Sequence, residues 1–334
     1  PIMEAQLLET LLINQVSFQT LIATKAARMR DAVERAGDGQ SLVDFGSRRA
    51  HGTDAGMKAA RASFIGGFDG TSNVAAGEVF DIPTFGTMAH SWIQSFPTER
   101  EAFEAFLDVY GEDSILLVDT YDTVAGAELA MDVAREKGLD IRGVRLDSGD
   151  LAALSREVAP IVGEDGVFVS SGVDEYLIHD FFAAGGIATG FGPGTSLTTS
   201  ADAPKLEGVY KLVGVADAAG EMQPSMKLSA GKVTHPGAKR VSRETSDGAY
   251  TRDVIGTADE TLPGDDLLVD IFRDGDLVYD LPDLSSICER TVAELGRLPT
   301  DVRALENPAP YPVEIGGELQ SLTESLQASL EADG

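Results

Sequence analysis

Arg145 and Asp147 stand two residues apart at the end of an apolar run, in "GVRLDSGDL". On a strand, residues i and i+2 share a face, so this guanidinium and carboxylate can enter one pocket. There the arginine would take an anion and the carboxylate ribose hydroxyls or a magnesium ion. An internal salt bridge is the plainer alternative. His90, in "GTMAHSW", follows a strand end and the small residues Gly86, Thr87 and Ala89. It is the sharpest single candidate, as a general base, a covalent nucleophile or a core histidine. Arg48 and Arg49, in "DFGSRRAHG", form a paired cation at another strand end, with His51 beside them. The run "GFGPGTSLTTS", residues 190–200, offers backbone N–H groups and hydroxyls of the kind that hold phosphates. Its bland reading is a Gly/Ser/Thr loop. Ser170, Ser171 and Gly172 place small donors ahead of a helix, and Asp119, Tyr121 and Asp122 in "VDTYDT" form a similar but less specific set. His179 lies within a helical pattern and reads as packing, while His235 lacks a consistent setting.

The elements that must position these residues alternate. A long helix, or two joined ones, spans Met3 to Arg35, with Gly37 as its stop. Then come strand "SLVDFG", helix "TDAGMKAARASFIGG", helix "GTSNVAAGEVFD", strand "IPTFGTMA" and helix "TEREAFEAFLDVYG". Strands "SILLVDTY", "IRGVRLD", "GVFVSSG" and "IATGFG" follow, separated by three further helices. Such alternation predicts a parallel sheet, open or closed, and ligands of parallel α/β sheets gather at the strands' carboxyl ends. Six successive strand ends carry Gly, Ser, Thr, Arg, Asp or His. One could be turn chemistry; six in order make a site. After about Leu206, "EGVYKLVGVAD", "SMKLSAG", "KVTHPG", "AKRVSRET" and "AYTRDVIGT" read as short antiparallel strands, and Leu281–Leu298 and the C-terminus as helices. The predicted division is 1–36 as a helical lead-in, 37–205 as the α/β catalytic domain, and 206–334 as a β-rich domain with C-terminal helices.

Composition narrows the function. Net charge is -29, with only eight lysines against eighteen arginines, which disfavours nucleic acid as a partner. The acid is scattered rather than gathered in a tail, as in a protein soluble at high salt, so a halophilic source is expected. No stretch resembles a signal peptide and no apolar run reaches the roughly 18 residues of a membrane span. The single cysteine, Cys288, excludes a disulfide within the chain and any all-cysteine metal site, in keeping with a cytoplasmic protein. There is no GxxxxGK[ST] loop, no HExxH and no Cys/His cluster for zinc.

The ordered series "FGSRRAHG", "GGFDGTSN", "GTMAHSW", "VDTYDT", "GVRLDSGDL", "VSSGVDEYLI", "GFGPGTSL" and "LEGVYKLV" closely resembles the nicotinate phosphoribosyltransferase family, over about Gln6 to Arg243. The resemblance implies a type II phosphoribosyltransferase fold, an irregular parallel α/β barrel with a smaller β-rich domain. It implies synthesis of nicotinate mononucleotide from nicotinate and phosphoribosyl pyrophosphate, in NAD biosynthesis, coupled to ATP hydrolysis with magnesium. On that resemblance, His90 is the histidine that ATP phosphorylates, and Thr87 and Arg145 bind nicotinate. Thr195, with Gly194 beside it, contacts phosphoribosyl pyrophosphate. One or both of Arg48 and Arg49 hold pyrophosphate or the substrate anion, and Asp147 takes the ribose diol or magnesium. Relatives commonly pair as homodimers, so a homodimer is expected. The family's N-terminal segment, with an aromatic residue that stacks on nicotinate, is not found ahead of Pro1, and a single cysteine leaves no place for the cysteine-rich zinc element of some relatives. Nicotinamide and quinolinate phosphoribosyltransferases are the nearest rivals, and an inactive nucleotide-binding subunit is the rival from another class. A carboxylate calls for a cation where an amide calls for an acceptor, so the arginines favour nicotinate over nicotinamide.

Overall fold

A computed structural model describes residues 2–37, 39–228 and 234–332. The chain divides into two compact units. One comprises 14–207 together with 287–292. It begins in the long helix α1 (Ile2–Ala36), whose residues Ile22, Ala26, Met29 and Val33 recur at helical spacing and are fully buried. Then follow β1 (Ser41–Asp44), a 3-10 turn (Ser47–Arg49), α2 (Thr53–Ile65), β2 (Gly70–Thr71), α3 (Val74–Phe80), α4 (His90–Gln94) and α5 (Glu99–Tyr110). The remainder alternates strictly: β3 (Ile115–Leu117), α6 (Thr123–Lys137), β4 (Gly143–Leu146), α7 (Leu151–Val162), β5 (Val167–Ser170), α8 (Glu175–Ala183), β6 (Gly190–Gly192) and α9 (Thr195–Thr198).

All six strands are parallel, in the order β2-β1-β6-β5-β4-β3. That order is a cyclic permutation of chain order. The last strand pairs with the first, as in a barrel, and the seam lies between β2 and β3. Strands buried on both faces need apolar side chains throughout, and Leu116, Leu117, Val144, Leu146, Val167, Val169 and Phe191 supply them. The helices turn small faces inward, such as Ala127, Ala130 and Ala134 of α6, which lets them sit close to the strands. Aspartates start several helices. Asp122, Asp150 and Asp174 accept bonds from the first-turn amides of α6, α7 and α8, each contributing about 1 kcal/mol.

The barrel predicted from the resemblance is therefore present, with two local corrections. "IPTFGTMA" is not a strand; its backbone makes one isolated parallel bridge, Thr84 to Thr71, at the open seam. The helix predicted from Gly70 begins only at Val74, because Gly70–Thr71 is occupied as β2 and Asn73 caps the helix at Ala76 N.

The second unit comprises residues up to Ile13, 208–286 and 293–334. Its centre is the antiparallel pair Lys239–Ser246 and Ala249–Thr257, flanked by Asp265–Asp266 and by the parallel strand Val313–Ile315. Arg243 grips Asp253 with two bonds of 2.7 and 2.8 Å across that pair. "AKRVSRET" and "AYTRDVIGT" are strands as predicted, whereas "EGVYKLVGVAD" contributes only Gly214–Ala216. "SMKLSAG" and "KVTHPG" lie partly outside the described residues, and their described parts are not strands.

Candidate active site

The carboxyl ends of the strands surround a cavity of about 830 Å³. Arg48, Arg49, Thr87, His90, Arg145, Asp147, Ser171, Gly172, Gly194 and Thr195 all line it. Phe45, Ser72 and Ser170 complete the polar and aromatic wall.

Arg145 reaches inward from β4 and is held on nearly every donor. Its Nε donates to Ser170 Oγ (2.7 Å), Nη1 to Thr87 Oγ1 (2.6 Å) and Met88 O (3.3 Å), and Nη2 to Asp147 Oδ1 (3.0 Å). Of five guanidinium donors, one Nη2–H is left for a ligand among the described residues. The Phe45 ring lies 5.3 Å from the guanidinium carbon, a cation–π distance. A Cβ at Gly192 would fall 2.5 Å from that ring, so glycine there is what admits it. Asp147 also accepts from Ser170 Oγ (2.5 Å). Burial alone would raise its carboxyl, but the Ser170 bond and the Arg145 charge hold it below the ordinary range.

His90 is half-exposed at the first position of α4. Its Nδ1 meets Thr120 Oγ1 at 3.0 Å, while Nε2 faces Asp147 Oδ2 at 3.6 Å and Asp119 Oδ1 at 3.8 Å. Asp119 is 1% exposed. Its Oδ2 accepts from Asp147 N and Ser148 Oγ, and its buried Oδ1 has no hydrogen-bond partner among the described residues. An imidazole thus sits between a hydroxyl and two carboxylates, with one carboxylate oxygen free to bond.

Arg48 and Arg49 are both exposed, and both border the cavity from the turn after β1. Among the described residues neither forms an ion pair. In a chain with net charge -29, two unpaired arginines at a cavity wall fit an anion drawn from solution. That turn is fixed from below by Asp44, which is fully buried and accepts from Gly46 N and Thr71 Oγ1, both at 2.8 Å. Ser171 and Gly172, which also line the cavity, follow β5 with φ of 77° and 63°. Left-handed backbone at a serine is uncommon and stores strain where the chain meets a ligand site.

The other sequence candidates separate from the site. Asp122 caps α6, and Tyr121 is exposed. His179 does not pack; it is 60% exposed beside Asp180, on the solvent side of α8. His235 bonds Thr323 in the second unit. Phe45, Thr120 and Asp44 escaped the sequence reading, although each adjoins a strand end that it named.

The family model described as the nicotinate phosphoribosyltransferase (NAPRTase) family matches residues 40–219, and that of the nicotinate phosphoribosyltransferase C-terminal domain matches residues 264–323. The chain is 44% identical to nicotinate phosphoribosyltransferase pncB2 of Mycobacterium tuberculosis, over 96% of its own length and 70% of the relative's. It is 39% identical to nicotinate phosphoribosyltransferase of Bacillus subtilis, over 96% and 71%. The crystal structure of human nicotinic acid phosphoribosyltransferase superimposes with a TM-score of 0.82 at 29% identity, covering 98% of this chain and 78% of that one. With a model matched over more than half its length and relatives this similar along nearly all of it, the chain belongs to the nicotinate phosphoribosyltransferase family.

Proposed function

We propose that this protein makes nicotinate mononucleotide and pyrophosphate from nicotinate and phosphoribosyl pyrophosphate, driven by ATP through phosphorylation of His90. The observation that carries this reading is one cavity bringing the Arg145–Thr87 pair, the carboxylate-flanked His90 and the unpaired Arg48 and Arg49 together.

Arg145 and Thr87 would receive the carboxylate of nicotinate. The pyridine nitrogen attacks the anomeric carbon, the bond from that carbon to pyrophosphate breaks, and pyrophosphate leaves with the electron pair. No proton moves in this step, so no general base is required. The protein's contribution is to position the reactants and to stabilise the leaving group. Arg48, Arg49 and the Gly194–Thr195 segment would take that charge, and Asp147 the ribose hydroxyls. At His90 the tautomer follows from its neighbours. With the proton on Nδ1, the ring donates to Thr120 Oγ1 and leaves the Nε2 lone pair, on the side of Asp147 and Asp119, as phosphoryl acceptor from ATP, with ADP leaving. Asp119 and Asp147 would balance the imidazolium charge of the product. Magnesium suits the partnerless Asp119 Oδ1 and the Asp147 carboxylate, and when bound it would neutralise phosphate charge. Among the described residues no three such side chains stand arranged to hold a metal ion by themselves, so substrate oxygens would complete its shell.

The reading also takes the chain as a cytoplasmic, salt-tolerant homodimer, to be tested by light scattering in low and high salt. Among the described residues no helix is long and apolar enough to cross a membrane. The deciding assay supplies phosphoribosyl pyrophosphate with nicotinate, nicotinamide or quinolinate, with and without ATP. Preference for nicotinamide or quinolinate would sink the reading, and formation of no mononucleotide would favour an inactive subunit. ATP should deposit acid-labile phosphate that His90→Ala abolishes; labelling that persists in the variant removes His90 from that role.

A further inference from the structure

Lys25 of α1 is a cation with only 3% of its side chain exposed, and no step above uses it. Its Nζ lies 2.8 Å from Glu175 Oε2 and 2.6 Å from Asp202 Oδ1. Glu175 is fully buried, and its other oxygen accepts from Arg28 Nε at 2.8 Å. Burial would lower the Lys25 ammonium, yet the bonds to Asp202 and Glu175 more than offset it, so the cation persists. Burying such a group is costly unless its partners are well placed.

The partners' positions in the chain give the arrangement its meaning. Glu175 opens α8, directly behind the Ser171–Gly172 turn. Asp202 follows α9, which Gly194 and Thr195 begin. One buried ammonium therefore joins the backs of two neighbouring segments of the cavity wall, which leave the paired strands β5 and β6.

We propose that Lys25 is a positioning residue: by joining Glu175 to Asp202, it fixes the spacing between the Ser171–Gly172 and Gly194–Thr195 walls, and so the affinity for phosphoribosyl pyrophosphate. The proposal deepens the functional reading above and rests on it.

Steady-state kinetics of wild type, Asp202→Asn and Lys25→Met test it. Asp202 is 44% exposed, and its replacement leaves Lys25 paired with Glu175, so this variant serves even where Lys25→Met does not fold. KM for phosphoribosyl pyrophosphate should rise about tenfold in Lys25→Met and about threefold in Asp202→Asn, with KM for nicotinate within about twofold. Equal rises in both KM values, or a lower Tm with neither KM changed, mean a merely structural lysine and overturn the proposal. Calorimetric titration with inorganic pyrophosphate separates the two claims. If wild type binds pyrophosphate without making mononucleotide, and Asp202→Asn weakens that binding, the functional reading falls and the positioning role stands. If wild type binds it and Asp202→Asn binds it equally well, the positioning role falls. If wild type neither turns over nor binds pyrophosphate, both fall.

Discussion

The Thr87 hydroxyl accepts a 2.6 Å hydrogen bond from Arg145 Nη1, joining the loop before His90 to the end of β4. The bond aims the guanidinium, and with Ser170 and Asp147 it uses most of the donors. Recognition of a carboxylate would then depend on orientation as much as on charge.

Replacing Arg145 by Lys keeps the charge but removes the fork that bonds Thr87, Ser170 and Asp147 together. We expect kcat/KM for nicotinate to fall about 100-fold, corresponding to two lost charge-assisted bonds, with a smaller change in KM for phosphoribosyl pyrophosphate. Thr87→Val should cost about tenfold for nicotinate and Thr87→Ser should restore it. Equal activity of the Val and Ser variants would show that the hydroxyl does not matter.

Asp147 carries a pH signature. Its carboxyl lies below the ordinary range despite burial, because Ser170 and Arg145 favour the ionised form. A depressed folded value means stability that is present above the unfolded value of about 3.9 and lost as pH falls through the folded one. Melting temperatures from pH 7 to pH 3 should show wild type above Asp147→Asn at neutral pH, with the gap closing below about pH 4. A gap constant across that range would contradict the assignment.

Much of this was legible because strand ends concentrate polar residues where buried strands stop. Arg48, Arg145 and Thr195 stand at such ends, Thr87 and His90 follow a segment that only bridges to β2, and all five border one cavity. The long, apolar alternation of β3 to β6 gave the parallel order its basis. What escaped was short or distant. The two-residue strand β2 has no period to detect. The Asp44–Thr71 bond joins residues 27 apart in the chain, and sequence spacing cannot indicate such a contact. Aspartates that cap helices look like ligand-binding aspartates, because both stand just beyond a strand. Asp122 and Asp119 share the run "VDTYDT", yet the first caps α6 and the second faces His90.

Gly46 tests how tightly the arginine turn meets the neighbouring loop after β6. A Cβ there would lie 2.6 Å from Thr198 Cβ and 2.9 Å from Gly194 O, although φ of -86° suits any residue. Gly46→Ala should therefore push the Arg48–Arg49 turn away from Gly194–Thr195. Stability should fall by about 1–3 kcal/mol, as in other overpacked sites, and KM for phosphoribosyl pyrophosphate should rise more than that for nicotinate. A variant with wild-type stability and kinetics would mean that the turn yields freely.

Asp44 is the opposite case to Asp147. Burial pushes its carboxyl up, and the bonds from Gly46 N and Thr71 Oγ1 only partly counter that. An acid raised in the folded state has its stabilising contribution intact below the unfolded value, and loses it as pH rises through the folded value. Asp44→Asn keeps one acceptor for Gly46 N and stays neutral, so its deficit against wild type should be largest near pH 4 and shrink toward pH 7. Asp44→Ala instead leaves the Gly46 N–H and the Thr71 hydroxyl without their acceptor, at about 1–3 kcal/mol for a buried group. Urea titrations at both pH values measure these differences directly. Because Gly46 leads straight into Ser47–Arg49, the Ala variant should also release the arginine turn and raise KM for phosphoribosyl pyrophosphate. If the Asn deficit instead grows from pH 4 to pH 7, Asp44 is stabilised as an anion and the assignment of burial as the dominant influence is wrong.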